Sequence, residues 1–358
     1  MNKKSIVLTG GGTAGHVSLN QAIIPTLEKQ GYEVHYIGSK NGIELELIRD
    51  AFPHITYHAI SSGKLRRYAS VKNFTDPLRV AKGLFEALFI LRKLKPAVIF
   101  SKGGFVSVPV VMAGKLAGIP VVVHESDVTP GLANKIAMPF AHHIFTVFQE
   151  TLKHLPSEKS SCSGSIIRSE LFEGKKEVGL RFCGFAGFKP VLLIMGGSQG
   201  SAVVNDAIRL NLTRLLELFD IIHLCGKGKV DDTLNGVSGY KQFEYVTKEL
   251  PDLLHAANII VSRAGSNSIF EFLALRKPML LIPLSKQKSR GDQLLNANIF
   301  KKQGWATVLE EEEVTPTLFL ATLEELNRDS QQMQVVMENS ELPKTPDEMV
   351  KLIISCAK

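Results

Sequence analysis

Two glycine-rich turns carry the spacing most suited to chemistry. Residues 10–15 read Gly-Gly-Gly-Thr-Ala-Gly directly after the apolar run 5–8, and residues 196–200 read Gly-Gly-Ser-Gln-Gly after the apolar run 191–195. A strand that runs into such a turn and then into a helix aims backbone N–H groups at an anion, with the positive end of the helix dipole behind them. Phosphate groups are the expected ligand. The first turn also satisfies G-x-G-x-x-G, which by itself would suggest a dinucleotide. The acid that would grip the adenosine ribose is absent, because the second strand ends Tyr36-Ile37-Gly38-Ser39-Lys40. Lys40 leaves an NADP-type ligand as the competing reading.

Other residues add to this inventory. The chain contains no Asp-x-Asp, a common ligand pair for a metal that neutralises a diphosphate. Charge on a bound diphosphate would then be met by helix N-termini and side chains, with residues 196–200 and 265–268 as the cradles and Ser198 adding a hydroxyl. No metal and no cofactor are expected. Cys162, Cys183, Cys225 and Cys356 lie far apart, with no CxxC or Cys/His cluster, which argues against a disulfide framework or a structural zinc site. His124 closes the apolar run 120–123 and reads as a buried, satisfied histidine.

The elements that must position these residues repeat. Strands are expected at 5–8, 33–37, 97–100 and 120–124, separated by helix-length spacers, and the pattern restarts with strands at 191–195, 221–224, 259–262 and 279–283. A single helical stretch is read over 201–218. The fold class is therefore α/β, with two tandem Rossmann-like, doubly wound domains and a cleft between them. Residues 1–162 form the first domain and 163–344 the second, joined by a Ser-, Lys- and Pro-rich linker at 154–165. A C-terminal helix at about 345–358 carries Met349, Leu352, Ile353 and Cys356 on one face. The acidic run 310–313 reads as a solvated loop.

Forty-two Lys and Arg stand against 35 Asp and Glu, a net charge of +7. The excess is local, because residues 61–102 hold ten basic and two acidic side chains. Such a patch points to an anionic partner. Lys3 and Lys4 precede only three apolar residues before the glycines, so no secretory signal is read. No apolar run approaches the ~20 residues of a membrane span.

Five motifs in order then carry a resemblance over nearly the whole chain: Gly11-Gly12-Thr13-Ala14-Gly15-His16; Ser101-Lys102-Gly103-Gly104-Phe105-Val106-Ser107-Val108-Pro109; His124-Glu125-Ser126-Asp127 with Gly131-Leu132-Ala133-Asn134-Lys135; Gly196-Gly197-Ser198-Gln199-Gly200; and Ser262-Arg263-Ala264-Gly265 with Glu271. Together they resemble the MurG family of bacterial cell-wall N-acetylglucosaminyltransferases. Ala14, Ser101-Lys102 and Ser126-Asp127 depart from the commoner pattern and mark a branch of low-GC Gram-positive type.

The resemblance implies the GT-B architecture and transfer of N-acetylglucosamine (GlcNAc) from UDP-GlcNAc to lipid I, undecaprenyl-pyrophosphoryl-MurNAc-pentapeptide, with inversion, to give lipid II for peptidoglycan. It implies that Glu271 grips the ribose hydroxyls, that Arg168 and Ser198 meet the donor, and that Gln293 contacts the sugar, with Asn296 and Asn298 as alternatives. Backbone near Val246 would read the uracil, and Thr13, Ala14, Gly15 and Asn134 would be donor-side contacts of the first domain. The acceptor 4-hydroxyl needs a general base. His16, at the end of the first turn, and Glu125 are the two candidates.

The basic segment fits the same picture. Lys64, Leu65, Arg66, Arg67 and Lys72 lead into Phe74, Leu78, Ala81, Phe85 and Leu88, spaced as one helical stripe flanked by Arg79 and Lys82. The stripe reads as a core-facing helix or as part of a cationic, partly apolar surface that binds an anionic leaflet without crossing it. The implied location is peripheral, on the cytoplasmic face of the bacterial membrane. No nucleic-acid motif accompanies the charge, so none is expected as a partner.

Overall fold

The computed structural model describes residues 4–63, 72–197, 199–285, 291–341 and 343–358, with the backbone alone for 72–76. The chain divides into two compact units, residues 1–168 with 344–358, and residues 169–343.

The first unit is built on a seven-stranded sheet of β1 (Ser5–Thr9), β2 (Glu33–Ser39), β3 (Thr56–Ile60), β4 (Val98–Ser101), β5 (Val121–Glu125), β6 (His143–Thr146) and β7 (Ser160–Cys162). Their spatial order is β3-β2-β1-β4-β5-β6-β7, parallel throughout. The helices are α1 (Gly15–Lys29), α2 (Ile43–Ala51), α3 (Lys72–Leu94), α4 (Ser107–Leu116) and α5 (Leu132–Ala137). A parallel sheet is covered on both faces, so its strands read as continuous apolar runs. Ile6 and Leu8 pack with Val17, Ile23 and Leu27 of α1, while Val7 points the other way, against Val110 and Val111 of α4.

Residues 154–165, expected as a linker, instead contain β7, the sheet's edge strand, with Ser160 opposite Ile144 and Cys162 opposite Thr146. Strand pairing asks only for backbone groups, and a polar Ser-rich strand is suited to an edge. The short strand β8 (Ser165–Ile166) follows.

The second unit repeats the plan. Strands β9 (Val191–Met195), β10 (Asp220–Leu224), β11 (Tyr240–Phe243), β12 (Ile259–Ser262), β13 (Met279–Leu281) and β14 (Thr307–Val308) lie in the order β11-β10-β9-β12-β13-β14, again all parallel. Its helices are α6 (Lys176–Cys183), α7 (Ala202–Leu210), α8 (Leu212–Leu218), α9 (Leu250–Ala256), α10 (Ser266–Ala274), α11 (Asp292–Lys302) and α12 (Pro316–Glu338). The single helix expected over 201–218 is broken at Asn211, whose Nδ2 donates to the Ala207 carbonyl and ends α7. The acidic run is not a solvated loop throughout. Glu311 is 8% exposed and bonds to Arg263.

β15 (Pro343–Lys344) pairs with β8, and α13 (Pro346–Ser355) follows. Thr345 and Glu348 form a capping box at its start. Met349, Val350 and Ile353 are fully buried beside α1 in the core of the first unit, and the half-buried Leu352 and Cys356 pack against the same core. Helix α3 turns Ala87 and Leu91 inward but leaves Leu78 and Phe85 in solvent, so those two do not face a core.

Candidate active site

Each sheet reverses its strand order beside its first strand, between β1 and β4 in one unit and between β9 and β12 in the other. Ligands of doubly wound sheets bind outside the carboxyl ends of the strands at that point. The glycine turns sit there because they are the direct continuations of β1 and β9.

In the first unit the turn after β1 is held by two neighbours. Gly11 N–H donates to the Gly103 carbonyl (3.2 Å), and Gly104, at φ +87°, leaves no room for a side chain against the Gly11 carbonyl. Only glycine meets both conditions at 104. On the other side, Glu44 of α2 reaches over the turn. It is 1% exposed, and its carboxylate accepts from Gly12 N–H (3.0 Å), from Ser39 N–H (3.0 Å) and from the Ser39 hydroxyl. The Gly12 amide therefore already has an internal anion. That weakens the dinucleotide reading, as does Lys40, which is exposed and lies 3.9 Å from Glu86.

His16 lies in the first turn of α1, half-buried, and its Nδ1 is 3.0 Å from the Gly11 carbonyl and 3.1 Å from Thr13 Oγ1. A carbonyl can only accept, so Nδ1 carries the proton and Nε2 is the basic nitrogen. Thr13, Ala14 and Gly15 are exposed at the tip of the turn.

The end of β5 is a buried polar cluster. Glu125 Oε1 accepts from Asp127 N–H (3.0 Å), while Oε2 accepts from Gly131 N–H (3.0 Å) and Asn134 Nδ2 (2.9 Å). Glu125 thus braces the loop that leads into α5. Asn134 Nδ2 also donates to the His124 carbonyl (3.2 Å). A side chain at Gly103 would lie 2.8 Å from Asn134 Oδ1, so the 103–104 turn is pressed between the His16 loop and Asn134. Lys102 is fully buried, and its Nζ donates to His124 Nδ1 (3.1 Å). Burial lowers the lysine to about 8 even though Glu125 and Asp127 favour its charge. His124 is held neutral by burial first and by the Lys102 cation second. It is buried as expected but not fully satisfied, since Nε2 finds no partner among the described residues.

In the second unit Ser198 lies outside the described residues. Around it, Gly200, at φ +66°, packs so closely on the Cys225 carbonyl that a side chain has no space. The Ser201 hydroxyl caps α7 by accepting from Val204 N–H (3.3 Å). Behind the turn, His223 bridges Asn205 Oδ1 (3.0 Å) and the Tyr240 hydroxyl (2.8 Å), and burial lowers it to about 3. It is a neutral structural ring.

Helix α10 starts at Gly265 and places Glu271, half-buried, in its second turn. Gln293, the second residue of α11, accepts from Leu284 N–H through Oε1 (2.9 Å), which ties it to the segment after β13. Asn296 is buried, with Nδ2 on the Ala264 carbonyl (3.2 Å), and so braces the entry to α10. Asn298 is exposed, Val246 is buried near the end of β11, and Arg168 is half-buried at the boundary of the first unit. Among the described residues no group of three or more His, Cys, Asp or Glu is placed to hold a metal ion.

Two doubly wound units with glycine turns at their switch points form the GT-B type of architecture, and the family models give its class. The model of the glycosyltransferase family 28 N-terminal domain matches residues 6–146, and that of the family 28 C-terminal domain matches residues 191–351. The relatives narrow the class. A UDP-N-acetylglucosamine–N-acetylmuramyl-(pentapeptide) pyrophosphoryl-undecaprenol N-acetylglucosamine transferase of Oceanobacillus iheyensis is 56% identical over 91% of this chain and 91% of its own. The protein of that name from Clostridium botulinum is 54% identical over 100% of this chain and 99% of its own. The crystal structure of MurG from Acinetobacter baumannii superposes with a TM-score of 0.78 over 98% of this chain and 99% of that one, at 23% identity. The chain belongs to the MurG family of N-acetylglucosaminyltransferases.

Proposed function

We propose that this chain transfers GlcNAc from UDP-GlcNAc to the 4-hydroxyl of MurNAc in lipid I, with inversion and without a metal ion, giving lipid II. The observation that carries this is the 54% identity to a transferase of that name across both whole chains. The first unit takes the acceptor and the second the donor. His16 Nε2 removes the proton of the 4-hydroxyl as that oxygen attacks the anomeric carbon, and the bond from that carbon to UDP breaks on the opposite face. Glu125 is the weaker candidate for this proton, because its two oxygens already accept three hydrogen bonds.

In the second unit, charge on the departing diphosphate is met by the starts of α7 and α10, with Ser198 and with Arg168 of the first unit. Glu271 receives the ribose hydroxyls, backbone at Val246 the uracil, and Gln293 the sugar. Thr13, Ala14, Gly15 and Asn134 complete the donor contacts. Incubation with labelled UDP-GlcNAc and a lipid I analogue tests the reaction, and absence of labelled lipid would refute it.

Among the described residues no helix is long and apolar enough to cross a membrane. A polyprenyl acceptor must nevertheless be met at a membrane surface, and we propose α3 as the docking element. Leu78, Phe85 and Phe89 are 72%, 69% and 74% exposed, beside exposed Arg79, Lys82, Arg92 and Lys93. Cations around apolar side chains suit the interface of an anionic leaflet. Lys64, Leu65, Arg66 and Arg67 lie outside the described residues, as does the side chain of Lys72. By sequence they extend the same basic segment. Nucleic acid is not part of this reading.

A further inference from the structure

Arg263 belongs to the Ser-Arg-Ala-Gly motif that opens α10, and a cation there would ordinarily be assigned to the donor diphosphate. Its contacts say otherwise. Nη1 donates to the carbonyls of Ile282 (3.0 Å) and Pro283 (3.2 Å), directly after β13. Nη2 donates to the Ser201 hydroxyl (2.7 Å), the cap of α7, and to Glu311 Oε1 (2.6 Å). Glu311 Oε2 accepts from Ser285 N–H (3.3 Å). The Arg263 side chain is 12% exposed and that of Glu311 5%, so the charge of Arg263 is matched largely inside the protein. The planar fork of a guanidinium can hold several acceptors at fixed angles, which an ammonium cannot.

We propose that Arg263 and Glu311 are a pair of positioning residues for donor binding that do not touch the nucleotide. Their bonds join the end of β12, the segment from β13 towards Gln293, and the start of α7. Gln293 is fixed to that segment at Leu284, one residue before Ser285. The three places where the donor is expected to bind thus share one tie. This inference rests on the donor reading given above.

Replacing a buried ion pair by apolar side chains of similar volume is often neutral or favourable for folding. That allows positioning to be separated from stability. UDP is titrated calorimetrically into the parent, E311Q and the double variant R263M/E311L, with a thermal melt of each. E311Q keeps a single acceptor oxygen, enough for Arg263 or for Ser285 N–H but not for both, and should bind UDP more weakly than the parent yet clearly better than the double variant. The double variant should melt near the parent yet bind UDP at least about tenfold more weakly, because the α7 cap and the β13 segment have lost their tie. A double variant that binds UDP like the parent overturns the proposal, as does an E311Q weakened as much as the double. Should the double variant melt early, R263K decides by the same titration. Tenfold weaker binding supports the proposal, and parental binding overturns it. A parent that does not bind UDP at all refutes the donor reading itself.

Discussion

His16 Nδ1 lies 3.0 Å from the carbonyl oxygen of Gly11, five residues earlier in the same glycine turn. The turn that could cradle a phosphate therefore also fixes the tautomer of its histidine, with the proton on Nδ1 and Nε2 as the basic nitrogen. H16A should lower turnover by about 10²–10⁴, the usual contribution of a general base, with little change in UDP affinity. Initial rates run beside a UDP titration check this. Equal loss in both would make His16 a diphosphate ligand and return the base to Glu125.

Glu271 sits in the second turn of α10, close behind the helix start proposed to meet the donor. Hydrogen bonds from hydroxyls to a carboxylate are each worth about 1.5–3 kcal/mol. E271A should weaken UDP-GlcNAc binding by about ten- to a hundredfold while the melting temperature stays close to the parent's. An unchanged dissociation constant would remove Glu271 from the donor site.

Lys102 gives a prediction in pH. Burial lowers it to about 8 in the folded chain, against an ordinary value of 10.5. Between those values the unfolded chain binds the proton and the folded chain does not, so stability rises with pH across that window. K102M lacks this contribution. The parent should gain on K102M by about 1.4 kcal/mol per pH unit, or about 3 kcal/mol from pH 8 to 10.5. Urea melts of both at pH 7.5 and 9.5 measure it. A stability difference that does not change with pH would contradict the buried, weakened ammonium.

Docking through α3 can be separated from chemistry. Replacing Lys64, Arg66, Arg67 and Lys72 by Gln should weaken binding to phosphatidylglycerol vesicles by up to about 4 kcal/mol, at about 1 kcal/mol for each cation. F85S/F89S should weaken it through the apolar term. Both variants should keep their activity on a short-chain, water-soluble acceptor. Variants that sediment like the parent would show that α3 is not the docking element.

The strand–turn–helix start of each unit was legible because it is local, an apolar run followed by glycines whose conformation few other residues adopt. His16, Glu271 and Gln293 were placed by motif. What the sequence did not disclose are partners distant in the chain. Glu44 accepts from Gly12 across 32 residues, and Arg263 meets Glu311 across 48. In the sequence Lys102 stands out only as a departure from the family pattern, although it is the amine buried beside His124 and near Glu125. The acidic run 310–313 misled for the same reason: composition marks it as solvated, but a single turn directs Glu311 onto a buried cation. Likewise β7 hides in a polar stretch, because an edge strand needs no apolar alternation.

The transfer reaction itself is the most direct test. The full chain is incubated with UDP-[¹⁴C]GlcNAc and a lipid I analogue in excess EDTA, and the lipid fraction is counted. The proposal predicts label in a disaccharide lipid, β-linked at the 4-position of MurNAc, at an initial rate unchanged by EDTA. Hydrolysis of the donor without label in the lipid, or a rate abolished by EDTA and restored by a divalent cation, would contradict it.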